Sequence, residues 1–348
     1  MIVSRAPLRI SLAGGGSDLE PYVSEHGGCV LSYTIDRYAF CKIQSNVSMH
    51  NDVWEFHPID LGETVKVENT LDFDYPYKGQ KSNISINAYL YFIKNFNIPI
   101  SPISITTRCD APPGSGLGSS SAITVSIVSA LAKYHSVPLS DYDIATVAHD
   151  IERNICALPG GKQDQYASAF GGCNYIEFKN GNVIVNPLKL PKATANRLEM
   201  SFMLFYTGLT RVSHVIDENI AQLHNDSNSI ELTHKLKQNC VQFKNAVLSE
   251  NFDEMDLLLQ DNWHTKKKLS NKITTEKIEQ MYNFGIDNGM KSGKLCGAGG
   301  GGHILFLCDQ FANMSGWTES IEKFQKLHPG CSMVPYSFVN HGVETWSQ

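Results

Sequence analysis

The segment Pro112–Pro113–Gly114–Ser115–Gly116–Leu117–Gly118–Ser119–Ser120–Ser121–Ala122 constrains the fold of this chain more than any other. Three glycines at alternate positions let the backbone turn tightly and approach a neighbour without Cβ clashes. The run passes directly into Ser119 to Tyr134, an apolar stretch rich in alanine and small residues that reads as a packed helix. Free N–H groups at such a helix start can surround phosphate oxygens, and the serines add hydroxyl donors, one of which could touch a divalent ion. No lysine follows the last glycine, so this is not a GxxxxGK[ST] loop. The proline pair and serine triplet also separate it from the GxGxxG of dinucleotide folds. A structural turn ahead of a buried helix remains the alternative.

The chain has 348 residues, 42% hydrophobic and 18% charged, enough for about two domains with substantial cores. The net charge of −6 excludes the basic surface expected of a nucleic-acid binder. A phosphate ligand must therefore be held by local donors. Nine scattered cysteines with no CxxC pair predict free, mostly buried thiols. Neither a basic leader nor an apolar run of about 18 residues is present, which predicts a cytoplasmic protein with no membrane partner.

Strands are expected over Ile2 to Leu12, Cys29 to Ile43 (with Asp36–Arg37 near a turn or edge), Val53 to Val67 and Ile103 to Arg108. A hairpin should turn at Asn180–Gly181. Helices are expected over Ile84 to Phe96, Ser119 to Tyr134, Asp141 to Ile155 and Gln163 to Ala169. A mixed polar stretch from Pro187 to Arg197 suggests a boundary between a domain over 1–195 and one over 196–348. The second half reads as strand Met200 to Tyr206, helices Val212 to Ser249 and Phe252 to Gly285, then strand, helix and a final strand Ser332 to Val339. The whole is an α+β pattern.

Phosphoryl transfer needs charge neutralisation and a carboxylate to orient or deprotonate the acceptor. Glu152, shortly before the breaker Pro159–Gly160–Gly161, and Asp164 just after it are the candidates. Arg9, on a strand, could lie beside such a carboxylate and the developing negative charge. Gly14–Gly15–Gly16–Ser17–Asp18 forms a turn whose aspartate could accept hydrogen bonds from substrate hydroxyls. A third cluster, Gly297–Ala298–Gly299–Gly300–Gly301–Gly302–His303, suggests close backbone packing on a ligand or partner loop, with His303 a scaffold residue. Taken singly, these residues could equally be surface arginines, solvated carboxylates and ordinary turns.

Together the three clusters resemble the motifs of the GHMP kinase superfamily, in order and over essentially the whole chain. They are Arg5–Ala6–Pro7–Leu8–Arg9 through Asp18, Pro112 to Ala122, and Leu295 to Leu307. The resemblance implies a two-domain fold, an N-terminal ribosomal-protein-S5-domain-2-like domain followed by a ferredoxin-like domain. It implies ATP and Mg²⁺ as cofactors, with Pro113, Gly114, Ser115, Gly116, Leu117, Gly118, Ser119, Ser120 and Ser121 around the nucleotide. Ser120 and Glu152 would hold the metal, Asp164 and Arg9 would be catalytic, and Gly15, Gly16, Ser17, Asp18 and Gly300 would meet the acceptor. Gly14–Gly15–Gly16 stands where many members have Gly-Glu-His, and Leu8 where many have glycine, which argues against galactokinase and mevalonate kinase themselves. Arg5 to Leu19 and Gly160 to Tyr166 look instead like the heptose 7-phosphate kinase branch, which phosphorylates the anomeric hydroxyl of a heptose 7-phosphate to the 1,7-bisphosphate. The partner would then be a small-molecule sugar phosphate, a homodimer being compatible. Arg37, Lys78, Lys162, Arg211 and His214 are the candidates for the distal phosphate, Arg37 and Arg211 first because guanidinium matches phosphate geometry. A kinase for a fucose-like or uronic-acid sugar, and a non-catalytic sugar-binding relative, are the rival readings.

Overall fold

The computed structural model describes residues 1–46, 53–68, 83–210, 226–308 and 314–348. Strand β1 (Ile2–Ala13) pairs antiparallel with β2 (Gly28–Ser45), and Ala6 to Ala13 are buried without a break. A strand buried on both faces needs cover on both, which explains why this segment reads as near-continuous apolar sequence. The β1–β2 register jumps from Pro7↔Tyr38 to Leu8↔Ile35, so Asp36 and Arg37 form a bulge inside one long strand. The expected turn at these residues is therefore a bulge.

Five further strands of the first sheet are β3 (Val53–Pro58), β4 (Val65–Glu68), β5 (Ile103–Cys109), β6 (Cys173–Lys179) and β7 (Asn182–Pro187). β5 pairs with the second half of β2 and parallel with β3, while β6 pairs with the first half of β2. The β6–β7 hairpin turns at Asn180–Gly181, both at positive φ, as that dipeptide predicts. Helices of this half are α1 (Tyr22–His26), α2 (Ile84–Phe96), α3 (Ser119–Tyr134), α4 (Asp141–His149), α5 (Gln163–Phe170) and α6 (Lys192–Ser201). Ser140 and Asp143 form a capping box that starts α4, and a π-helical turn over Asp150–Ile155 ends it. Small side chains such as Ser126 and Ala130 let α3 sink almost entirely into the core against β1 and β2.

The second sheet has the order β11-β8-β10-β9: β8 (Phe202–Tyr206), β9 (Met290–Leu295), β10 (His303–Cys308) and β11 (Ser332–Met333). Helix α7 (Ser227–Leu248) packs on β1 and β2 of the first sheet and on α8 (Phe252–Leu269), while α8 and α9 (Glu276–Asp287) pack on β9 of the second sheet, and α10 (Met314–Leu327) precedes β11. A separate core gathers Trp263, Phe205, Phe306 and Phe324 under this sheet. The α+β architecture of two sheets thus holds.

Two expectations need correction, and the stretch expected as a boundary holds a helix. The predicted helix Phe252 to Gly285 is two helices, because the Thr275 hydroxyl accepts from the Ile278 N–H and caps a new start after Ser270. The stretch around Pro187 to Arg197 contains α6. The predicted final strand Ser332 to Val339 pairs only over Ser332–Met333 in the second sheet. The chain then crosses back, bridging Phe338 to Ile35, and β12 (Glu344–Ser347) pairs with β1. The helix expected from Val212 is described from Ser227 onward. All nine cysteines are free and eight are buried, as expected. Among the described residues, no helix is long and apolar enough to cross a membrane.

Candidate active site

β1 delivers Arg9 into the interior, 3% exposed, directly beneath the glycine loop. Its Nε donates to Asp164 Oδ1 at 2.8 Å and its Nη2 lies 2.6 Å from the same oxygen. Its Nη1 donates to the Gly116 carbonyl at 2.6 Å, and its backbone N–H to the Leu117 carbonyl at 3.1 Å. One guanidinium thus fixes both the carboxylate in the first turn of α5 and the phosphate-type loop. The fork geometry of arginine permits this, and a lysine could not reproduce it. Asp164 keeps 23% of its side chain exposed, so its carboxylate still meets solvent while its charge is matched from below.

The loop's glycines are required by geometry. Gly116 has φ +79°, and a Cβ there would lie 2.5 Å from the Cys296 carbonyl of the third cluster. Reciprocally, a Cβ on Gly302 would lie 2.4 Å from the Ser115 carbonyl. The second and third glycine clusters therefore interlock backbone to backbone, and His303 joins them through Nδ1 at 2.7 Å from the Ser115 carbonyl. Burial pulls the His303 pKa down to about 4, so the ring is neutral at pH 7 and Nδ1–H donates. Gly300 lies in this junction, its N–H donating to Ile273. Gly118, at φ +76°, caps α3 and would place a Cβ 3.3 Å from Asp164 Cγ, so glycine lets the helix start close on the carboxylate. The first-turn N–H groups of α3 have no acceptor within the helix, which makes this end an anion site. Pro113, Ser119 and Ser120 also border a cleft walled by Pro58, Leu61, Ile84, Ala111 and Ile123.

Asp18 is buried against the other side of α5. Its oxygens accept from the Gly16 N–H at 3.2 Å and the Gln163 N–H at 3.1 Å. Burial, then the charge of Asp164, pushes its pKa up, while these N–H bonds oppose the shift. Lys162, the residue before α5, lies 3.6 Å from Glu20. Gly15 packs against Ser11, and Gly16 faces Leu236 of α7. Ser17 is fully buried, its hydroxyl donating toward the Gly14 and Cys29 carbonyls and accepting from the Cys29 N–H. That group pins the loop to β2 and has no capacity for an acceptor.

Two further placements differ from the sequence expectation. Arg37 sits on the β2 bulge and donates to the Pro335 carbonyl, tying that bulge to the C-terminal segment. It serves the scaffold. Glu152, 1% exposed on the π turn, is met by Ser121 and not by Ser120: Ser121 Oγ donates to Glu152 Oε2 at 2.8 Å. Gln165 Nε2 donates to the same oxygen at 2.7 Å, and Arg153 Nη1 lies 3.2 Å from Oε1. Ser120 instead turns along the cleft with its buried Oγ unpaired among the described residues. The shift by one residue follows from helix geometry, since neighbours on α3 point about 100° apart. Among the described residues, no three His, Cys, Asp or Glu side chains gather as a metal cage. A hydroxyl, one carboxylate and nearby unpaired oxygens still fit magnesium, which takes one or two protein oxygens and draws the rest from phosphates and water. Arg211, Lys78 and His214 lie outside the described residues.

Sequence reasoning missed Lys294. It is fully buried on β9, and its Nζ donates to the Ser11 and Leu12 carbonyls at 2.9 and 3.2 Å, gripping the end of β1 where the Gly14–Asp18 loop departs. Its strand, Met290–Lys291–Ser292–Gly293–Lys294–Leu295, carries a second, exposed lysine, so nothing local marks Lys294 as the buried one. Burial, with Arg9 adding repulsion, lowers its pKa to about 8, although the nearby Cys296 and Cys240 act in the other direction. Between about pH 8 and the ordinary lysine range near 10.4 the unfolded chain then binds the extra proton, so stability rises with pH in that window. Lys294→Met should remove this rise, seen by comparing the melting temperatures of both proteins from pH 7 to pH 10.

Comparison with known proteins identifies the family and the fold. The family model for the GHMP kinases N terminal domain fits residues 83–172, and that for the GHMP kinases C terminal fits residues 243–314. The D-glycero-alpha-D-manno-heptose 7-phosphate kinase of Campylobacter jejuni is 33% identical over 347 residues, covering 99% of this chain and 98% of that protein. The crystal structure of a D-glycero-D-manno-heptose 1-phosphate kinase from Bacteroides thetaiotaomicron superposes with TM-score 0.82 at 32% identity, covering 100% of this chain and 99% of that one. Lactococcus lactis galactokinase, 14% identical with TM-score 0.76 over 99% of this chain and 95% of that one, shares the fold. The chain belongs to the GHMP kinases.

Proposed function

We propose that the protein transfers the γ-phosphoryl group of ATP to the anomeric hydroxyl of D-glycero-D-manno-heptose 7-phosphate, giving the 1,7-bisphosphate and ADP for nucleotide-activated heptose synthesis. The observation that carries this reading is the Arg9–Asp164 pair, 2.6 Å apart beneath the interlocked glycine loop. Full-length similarity to a heptose 7-phosphate kinase supports the choice of acceptor.

In this reading the loop from Gly114 to Ser121 and the start of α3 bind the triphosphate, and the apolar cleft beside Ser120 takes the nucleoside. Asp164 orients the anomeric hydroxyl and accepts its proton. An anomeric hydroxyl is more acidic than an ordinary alcohol, so positioning matters more than strong base chemistry. Arg9 holds Asp164 in place and, with the loop, favours negative charge developing on the transferred group. Asp18 and Lys162 border the sugar. Ser121 and Glu152 would hold Mg²⁺, whose chemistry when bound is to neutralise phosphate charge. The same reading makes the enzyme cytoplasmic and divides the chain near residue 195, its last strand returning to the first sheet.

The two heptose kinases compared above differ in the position named for the phosphate already on the sugar, so the decisive assay offers both monophosphates and the free sugar. ADP release should be at least about tenfold more efficient with the 7-phosphate than with free heptose, since even one lost charge-assisted contact is worth about 1.5–3 kcal/mol. Equal efficiency would remove the distal-phosphate pocket. A preference for the 1-phosphate would reverse the acceptor assignment.

A further inference from the structure

Gln163 immediately precedes Asp164, is buried, and takes no part in the mechanism above. The residue before it, Lys162, offers α5 no side-chain cap, so the position of this helix start is set from outside. Two bonds set it. The Gln163 backbone N–H donates to Asp18 Oδ2 at 3.1 Å, which ties the first turn to the Gly14–Asp18 loop. Its side-chain Nε2 donates to Ser11 Oγ at 2.9 Å, which ties the same turn to the end of β1. Gly15 packs on this second bond: a Cβ there would lie 3.5 Å from Ser11 Oγ and 3.9 Å from Gln163 Oε1. A Cβ on Gly161 would lie 2.0 Å from Asp18 Oδ2, so the backbone leading into α5 rests on that carboxylate. Ser11 is itself held at its carbonyl by Lys294 of the second sheet.

We propose that Ser11 and Gln163 are a pair of positioning residues for the acceptor, fixing where Asp164 stands relative to the Gly14–Asp18 loop. The inference rests on the reading in which the sugar lies between that loop and Asp164. Two carboxylates flank Gln163, and the charge of Asp164 is one cause of the raised pKa of Asp18. Their repulsion favours separating the loop from the helix start. The Ser11–Gln163 bond opposes that separation without running through either carboxylate. Both partners are neutral, so the tie adds no charge to the field around Asp164. Arg9 holds Asp164 to the nucleotide loop through Gly116, and Gln163 holds the same turn to the acceptor loop. A misplacement of about 1 Å between reacting groups can cost about 10²-fold in rate. Loss of the pair should therefore be felt at the sugar phosphate and not at ATP.

The test uses the full chain with ATP and D-glycero-D-manno-heptose 7-phosphate, in steady-state assays of ADP release. In Ser11→Ala and in Gln163→Leu, kcat/KM for the sugar phosphate should fall about tenfold or more, with KM for ATP within about twofold of wild type. The double variant should be no worse than the poorer single one, because both substitutions cut the same bond. A merely structural role would lower the melting temperature and leave kcat/KM for the sugar phosphate within about twofold of wild type. That result, or fully additive losses in the double variant, overturns the proposal. If Gln163→Leu does not fold, Ser11→Ala alone decides. Hydrogen exchange of the free enzyme gives a readout without substrate: the Gly16 and Gln163 amides, both bonded to Asp18, should exchange about tenfold faster in Ser11→Ala. Unchanged exchange overturns the proposal. Wild type that releases no ADP with this sugar phosphate would remove the reading of function, and the exchange measurement then decides the role of the pair by itself.

Discussion

Asp164→Asn should lower kcat by at least about 10²-fold while leaving KM for ATP within a few-fold of wild type. The amide has the same shape and would still sit against Gly118, where a Cβ would be only 3.3 Å from Cγ, so the loop is not expected to move. What is lost is the negative charge that accepts the anomeric proton and faces Arg9. The loss should appear in kcat for the sugar phosphate in steady-state assays, with ADP release as the readout. Turnover near that of wild type would show that Asp164 neither orients nor deprotonates the acceptor.

Arg9→Met should be damaging in two separable ways. Catalysis should fall by about 10²–10³-fold, the scale of losing one preorganised donor to developing charge. Stability should fall by roughly 3 kcal/mol, the lower end of the range for breaking a buried ion pair, because Asp164 retains contact with water. The Gly116 carbonyl loses its 2.6 Å donor at the same time. Urea unfolding gives the second quantity and kinetics the first. Arg9→Lys should recover part of the stability and little of kcat, since one ammonium cannot reach Asp164 and Gly116 together. Because the two residues act as a unit, the Arg9→Met and Asp164→Asn losses in kcat should be far from additive. Full additivity would contradict the pairing.

Why some of this was legible in the sequence and some was not follows from the range of the interactions. Glycine clusters announce backbone that must turn or approach closely, and all three proved to be such places: Gly14 against Cys29, Gly116 against Cys296, Gly302 against Ser115. The β6–β7 turn was legible because Asn-Gly dictates its own geometry. Partnerships between distant side chains carry no local mark. Nothing in a triplet of serines says which of them faces Glu152, and a rotation of one residue on α3 moved the contact from Ser120 to Ser121. Arg37 looked suited to a phosphate by chemistry alone, yet the β2 bulge turns it to the C-terminal segment. The same segment read as a simple final strand, because its return to Ile35 and β1 depends on partners about 300 residues earlier in sequence. Lys294 and Gln165 were passed over for a related reason. A single lysine or glutamine acquires meaning only when burial shows what it must satisfy.

The central claim, phosphoryl transfer from ATP to the anomeric oxygen of a heptose 7-phosphate, is tested most directly by phosphorus NMR of the reaction mixture. The account predicts consumption of ATP, formation of ADP, and a new phosphate monoester signal coupled to the anomeric proton, with the original 7-phosphate signal retained. A phosphate appearing on any other carbon, or ATP left intact with every sugar phosphate offered, would contradict it.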